Sequence, residues 1–152
     1  MNTEQRFVEN FGLLMEEQGY TRMAGRILAR LLICDPPHRS MTELSEELHA
    51  SKSAISTASR QLIQAGLLER FSLPGERRDC FRVSPTAWES VMEEAPKRFR
   101  RFRDIAEQGL NLLSDASAER RNALVEMQST YAFLEWGLER AVQGRLTGKD
   151  PG

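Results

Sequence analysis

Between Ser51 and Leu62 the chain reads SKSAISTASRQL, a stretch crowded with hydroxyls and carrying a single guanidinium. Projected at about 100° per residue, Ile55, Ala58, Leu62 and Ala65 fall on one side of a helix, and Ser53, Ser56, Thr57, Arg60 and Gln64 on the other. Serine and threonine each cost up to about 0.5 kcal/mol relative to alanine in a helix interior. That polar face therefore does not serve helix stability. Short hydroxyl side chains let a helix approach base edges in the major groove, and one long guanidinium can fork onto a guanine. Ser51, as N-cap, and Lys52 stand where backbone amides and a cation meet a phosphate. A second charged cluster, PGERRD, offers adjacent Arg77 and Arg78.

Other chemistries lack their residues. His38 and His49 have no nucleophile, paired carboxylate or ligand spacing around them, and Cys34 and Cys80 lie far apart with no CxxC. No catalytic residue, metal site or cofactor is expected, and the two cysteines read as packed thiols in a reducing compartment. The net charge of −1 over 152 residues hides a local asymmetry. From His49 to Val83 six cations face three carboxylates, leaving +3, whereas the first nineteen residues carry four glutamates against Arg6. The N-terminus lacks a basic segment followed by an apolar one, and ILARLLIC is broken by Arg30 and too short to span a bilayer. A cytoplasmic protein with no membrane partner is expected.

The elements that must position these residues are mostly helical. Phe7, Val8, Phe11, Leu14 and Met15 predict a first amphipathic helix that stops near Gly19. A second runs from about Thr21 through Leu32 and is ended by Asp35-Pro36-Pro37. After a short extended piece, Thr42 is the expected N-cap of a short helix with Leu44 and Leu48 inward. The Ser/Thr-rich helix follows and stops at Gly66. Leu68 to Leu73 and Cys80 to Val83 read as strands of a hairpin with a charged Pro-Gly turn. Short helix, tight turn, second amphipathic helix and charged hairpin, in that order, describe a winged helix-turn-helix.

The segments GYTRMAGRILARLLICDPP (19–37), MTELSEELHASKSAISTASRQLIQAGLLER (41–70) and PGERRDCFRVSPTAW (74–88) resemble MarR-type winged-helix regulators, and within them the GbsR-like branch. The resemblance implies a cytoplasmic homodimeric regulator that binds double-stranded DNA, often a repressor relieved by a small molecule. By position it makes Ser51 to Gln61 the recognition helix and Gly75 to Arg78 the wing tip. The DNA-contact set is then Thr42, Ser51, Lys52, Ser53, Ser56, Thr57, Arg60, Gln61, Gln64, Arg77 and Arg78. The wing departs from the family's Asp-x-Arg pattern, since Leu73-Pro74-Gly75 precedes Glu76-Arg77-Arg78-Asp79.

The remainder reads as dimerisation apparatus. Ser84-Pro85 opens a long helix, and Trp88, Val91, Met92, Ala95, Phe99, Phe102, Ala106, Leu110 and Leu113 keep one face across Pro96, where a kink or break is expected. In KRFRRFR, Lys97, Arg100 and Arg101 fall opposite that stripe, where a solvated face accounts for them better than phosphate contact. The last helix, from about Ser117 to Gln143, is apolar on two sides: Leu124, Met127, Tyr131, Leu134 and Leu138 on one, Val125, Phe133 and Trp136 on the other. One side can pack within the chain and the second suits a second copy, the alternative being a monomeric all-α domain that buries both faces internally.

The expected fold is therefore mainly α with a small β-hairpin wing. Residues 1–19 are a dimer-contributing helix, 20–84 the winged helix-turn-helix, 85–143 the arm and dimerisation region, and 144–152 a flexible tail. Trp88, Phe99, Tyr131 and Trp136 are candidates for an effector pocket, including an aromatic cage for a quaternary ammonium; as plain core residues they need no ligand. The competing functional class is a winged-helix protein-interaction module that does not read DNA sequence.

Overall fold

The structure, a computed structural model, describes residues 1–148. In chain order it contains α1 (Thr3–Glu17), α2 (Arg22–Ile33), β1 (Arg39–Ser40), α3 (Met41–Glu47), α4 (Lys52–Gln64), β2 (Leu68–Ser72), β3 (Asp79–Val83), α5 (Ala87–Leu112) and α6 (Ala118–Leu146). The chain divides into two units, the first from Met1 to Ser90 and the second from Val91 onward. The expected class, helices with a small β wing, is what the chain adopts.

Helix starts are set by local side chains that satisfy free backbone amides. Thr21, Ser51 and Ser117 accept from the N–H groups of Ala24, Ala54 and Arg120, as N-caps of α2, α4 and α6. The cap of α3 is Ser40, not Thr42, which is the second residue of the helix. Ser40 is extended, its hydroxyl accepts from the Glu43 N–H at 3.2 Å, and the Glu43 carboxylate accepts from the Ser40 N–H at 2.7 Å. That reciprocal box needs an acid three residues on, which Ser40 has and Thr42 lacks. Ser84-Pro85 forms a turn, and α5 begins at Ala87. There the Ser84 hydroxyl accepts from the Thr86 N–H at 3.2 Å.

The hairpin gains a third strand. The sheet order is β1-β3-β2, all antiparallel, with Ser40 opposite Cys80 and Arg70 opposite Phe81. Ile27, Leu28, Leu31, Leu44, Ile55, Leu62 and Phe81 are all but fully buried together and form the core of unit 1. α4 and the β2–β3 hairpin are therefore fixed to the same core.

α1 belongs to that unit and crosses α2 at a pair of glycines. A Cβ on Gly25 would lie 2.7 Å from Gly12 Cα, 2.9 Å from Met15 Cβ and 3.0 Å from the Phe11 carbonyl oxygen. Gly25→Ala must therefore push the helices apart. Overpacking costs about 1–3 kcal/mol, and the gain in helix propensity returns at most about 1 kcal/mol, so a net loss is expected. At Gly12 an added Cβ meets Arg26 Cγ, Arg22 Cγ and the Arg22 carbonyl at 3.0–3.2 Å, and its milder crowding should leave Gly12→Ala nearly neutral. Equal melting shifts for the two variants would refute this account.

In unit 2, α5 runs unbroken through Pro96, so of the expected kink or break the break does not occur. Ala106 is fully buried, Leu110 nearly so, and Gly109 faces Leu124 of α6 closely enough that a Cβ would sit 2.9 Å from Leu124 Cδ1. The stripe is less buried than its periodicity implied: Val91 and Phe102 are each 45% exposed. α6 continues to Leu146, three residues past the expected end at Gln143, with Thr147 as its cap. Residues 149–152 of the expected tail lie outside the described residues.

Candidate nucleic-acid interface

α4 divides as its periodicity predicts. Ile55, Ala58 and Leu62 are buried, whereas Ser53, Thr57, Arg60 and Gln64 are exposed and Ser56 is half-buried. Ser59 is also buried, its hydroxyl without a hydrogen-bond partner, so not every hydroxyl of the stretch belongs to the open face. The Ser51 hydroxyl, spent on capping, accepts from the Ala54 N–H at 3.1 Å. Gln61 is half-buried, and its carbonyl oxygen lies 3.4 Å from the Thr21 N–H. It thereby ties α4 to the start of α2. Thr42 is half-buried in the first turn of α3, two residues after the Ser40 cap.

Arg77 and Arg78 occupy the tip between β2 and β3, beside Gly75, whose φ of 81° is the left-handed turn conformation that glycine adopts freely. The Ser72 hydroxyl bridges to Asp79 at 2.9 Å across the hairpin base. Arg78 Nε lies 3.5 Å from Glu76 and its Nη2 3.9 Å from Glu43, loose contacts between exposed groups. Arg82 pairs with Glu69 and stacks over Phe71 at 4.2 Å, and Arg70 lies 4.0 Å from Asp79 and over the Phe81 ring. Arg70, Arg78 and Arg82 are thus matched by the three carboxylates already subtracted in the +3, which leaves that charge on Lys52, Arg60 and Arg77. Among the described residues, Lys52, Arg60 and Arg77 have no ion-pair partner. Cross-strand pairs such as Glu69 with Arg82 follow from the hairpin register, and that register was the signal available for them.

Behind the reading face, α3 is tied to α2 and β1 by Glu47, which accepts from Arg30 Nε at 2.5 Å and from Arg39 Nε at 2.9 Å. Burial alone would raise the Glu47 carboxyl, but the hydrogen bonds from Arg30 and Arg39 outweigh it and hold the group below its ordinary range. Burial pushes both the Cys34 and the Cys80 thiols up, which keeps them protonated and poorly nucleophilic.

Of the four aromatics proposed for an effector pocket, three lie in unit 2, where Phe99 keeps company with Tyr131 and Trp136 with Phe133. Phe99 and Tyr131 meet at 6.2 Å, Tyr131 stacks on Phe102 at 4.7 Å, and Trp136 stacks on Phe133 at 6.2 Å with Arg140 over its ring. Trp88 belongs to the other unit and is 56% exposed. Of the four, Trp136 alone lines the groove of about 650 Å³ in unit 2, with Met92, Pro96, Arg100 and Val142. KRFRRFR also departs from expectation. Arg100 Nε donates to Glu135 at 2.7 Å and Arg103 Nη1 donates to the same carboxylate at 2.5 Å, so Arg100, though its side chain is 43% exposed, is also half of an inter-helix clamp. The Glu135 and Glu139 hydrogen bonds push the Arg100 guanidinium above its ordinary range.

Residues 25–80 match the profile of the MarR family, and residues 86–143 that of the MmpR5-like MarR family transcriptional regulators. The chain is 41% identical over 146 residues to the HTH-type transcriptional regulator MmpR5 of Mycobacterium tuberculosis (strain ATCC 25618 / H37Rv), covering 95% of this chain and 88% of that protein. It is also similar to the crystal structure of a transcriptional regulator, with TM-score 0.78 and 38% identity, over 97% of this chain and 99% of the other. With the helix-turn-helix, the three-stranded wing and the two long helices, these likenesses establish that the chain belongs to the MarR family of DNA-binding transcriptional regulators.

Proposed function

We propose that the protein is a cytoplasmic repressor that binds a pseudo-palindromic operator as a homodimer, reading bases with α4 and gripping the flanking backbone or minor groove with the wing. One observation carries the reading. The exposed side of α4 holds Ser53, Thr57, Arg60 and Gln64, and the cations left without an internal counter-charge among the described residues include Lys52, Arg60 and Arg77. These groups do nothing for the fold and are free for DNA. Gln61 drops to a supporting role in this reading, Thr42 keeps its place at the N-terminus of α3 as a backbone contact, and Ser51 reaches a phosphate only through the amides that it caps.

The homodimer is supported by apolar surface that the single chain does not cover. Phe133, Trp136 and Val125 of α6 are 66%, 56% and 43% exposed, and Leu13 and Leu14 of α1 are 45% and 51% exposed. A two-fold pair of reading heads engages half-sites about 34–36 Å apart. A small-molecule effector that seats beside Trp136 in the groove of unit 2 and favours one arrangement of the heads would change affinity by about fivefold to 150-fold. The match of residues 86–143 favours an MmpR5-like branch over the GbsR-like one. With that branch goes the osmoprotectant reading, and no quaternary ammonium effector is proposed.

The test is a salt series on the full chain, with a duplex from upstream of its own gene and a scrambled duplex, alongside light scattering. A dimer with a steep salt slope and a preference of at least a thousandfold for one duplex is expected. A protein-interaction module would show neither the slope nor the preference.

A further inference from the structure

Glu135 is the only charged side chain buried among the described residues, at 5% exposed. It lies on α6, and both its oxygens are engaged by α5, one by Arg100 and the other by Arg103. Arg100 also reaches Glu139 at 2.8 Å, and Arg103 reaches Asp104 at 3.1 Å. Nothing in DNA recognition calls for this clamp. Nor is it the cheapest way to join two helices, because desolvating an ion pair offsets most of its attraction, and apolar residues of similar volume often do as well or better.

What the clamp supplies is a choice that α6 does not make by hydrophobicity. Taken at about 100° per residue from Glu135, Leu124, Tyr131, Leu138 and Val142 lie within about 60° of it, and Val125, Trp136 and Phe133 lie about 80–160° round one side. Both arcs carry large apolar side chains beside polar ones, Gln128 and Glu139 in the first and Ser129 and Arg140 in the second, and either could face α5. A turn of about 120° would bury the aromatic arc. It would also pull Glu135 away from Arg100 and Arg103 and leave partnerless charges at the edge of the helix contact. Buried polar groups are best attested in this role, fixing one register among several that apolar packing allows.

We infer that Glu135 is a positioning residue: clamped by Arg100 and Arg103, it fixes the rotation of α6 so that Val125, Phe133 and Trp136 are offered to a second copy of the chain. The inference rests on the homodimer reading above.

The experiment replaces the clamp with apolar residues in the full chain, as Arg100→Leu/Arg103→Leu/Glu135→Leu, in a Trp88→Phe background where Trp136 is the sole tryptophan. The readouts are the thermal midpoint, the dimer dissociation constant by sedimentation, and Trp136 emission. The variant should melt no lower than its parent, yet its dimer should dissociate at least tenfold more readily and its Trp136 emission should split between two environments. A stabilising role alone would move the midpoint and leave the other two readouts alone, and that result overturns the inference. Glu135→Gln, which keeps the shape and loses the charge, provides the same comparison if the triple variant does not fold, with about threefold to tenfold weaker dimerisation expected and an unchanged constant overturning the idea. A parent protein that is monomeric at tens of micromolar would overturn the homodimer reading and this inference with it, whereas a dimeric parent with equally tight variants overturns the inference alone.

Discussion

Phe81→Ala is expected to cost unit 1 about 3–5 kcal/mol, the range for deleting a buried aromatic ring. Phe81 is 1% exposed and sits on β3, the central strand of the sheet, opposite Arg39 of β1 and Arg70 of β2. Its ring packs in the core with Leu28, Leu31, Leu44 and Leu62, the residues that also carry α2, α3 and α4. The loss is therefore a cavity at the point where the wing is anchored to the helix-turn-helix. For a unit of this size each kcal/mol moves the midpoint by about 4–8 °C, so a fall of more than about 12 °C is expected. Phe81→Leu, which returns most of the volume, should recover the greater part of it. Phe71→Ala is the control: Phe71 is half-buried beneath Arg82 and should cost far less. Scanning calorimetry on the three variants checks the order, and a Phe71→Ala loss as large as that of Phe81→Ala would contradict it. Below its melting temperature the Phe81→Ala protein should also bind DNA more weakly on every sequence, since a loosened wing loses charge contacts before base contacts.

How much of this could be read from the chain depended on the range of each interaction. The two faces of α4, the Ser51 cap and the stop at Gly66, whose φ is 76°, are decided within a few residues, and the sequence reading placed all three. The Ser40 cap was equally local. Ser40 and Glu43 make the three-residue spacing of a capping box, and weighing that spacing against the bare hydroxyl of Thr42 would have found it. β1 is different: two residues long, it exists only because Cys80 and Phe81 pair with it from forty residues away. The Arg100–Glu135–Arg103 clamp is the extreme case. An acid set between Leu134 and Trp136 looks like solvent-facing charge until α5 is laid beside it, and its partners are 35 and 32 positions off. For the same reason Arg100 was assigned to a solvated face. Helix periodicity tells which residues share a side, but which side is buried depends on the partner helix.

Arg60→Ala and the paired wing substitution Arg77→Ala/Arg78→Ala should weaken DNA binding in distinguishable ways. Arg60 stands exposed on the polar side of α4 with no internal ion pair among the described residues, so its guanidinium is free to fork onto a guanine. Losing that fork should cost about 1–3 kcal/mol at the operator, roughly fivefold to 150-fold, and relax the preference at one base pair of each half-site. On scrambled DNA the loss should be small. In the proposed reading the wing arginines meet phosphate or a minor groove whose edges carry little sequence information, so their removal should weaken specific and scrambled duplexes alike and flatten the slope of log affinity against log salt. Within the pair Arg77 should contribute more, because Arg78 must first leave Glu76 and Glu43, which lie 3.5 and 3.9 Å from it. Those contacts are exposed and worth at most about 1 kcal/mol, so the difference between the two single variants should stay within about fivefold. Gln61→Ala offers the opposite control. With its side chain turned toward the Thr21 N–H, it should leave base preference intact and act only through a small loss of stability. Isotherms for all the variants on both duplexes across a salt series decide the assignment: a uniform loss for Arg60→Ala would remove it from base reading, and a relaxed base preference for Gln61→Ala would put that residue back on the reading face.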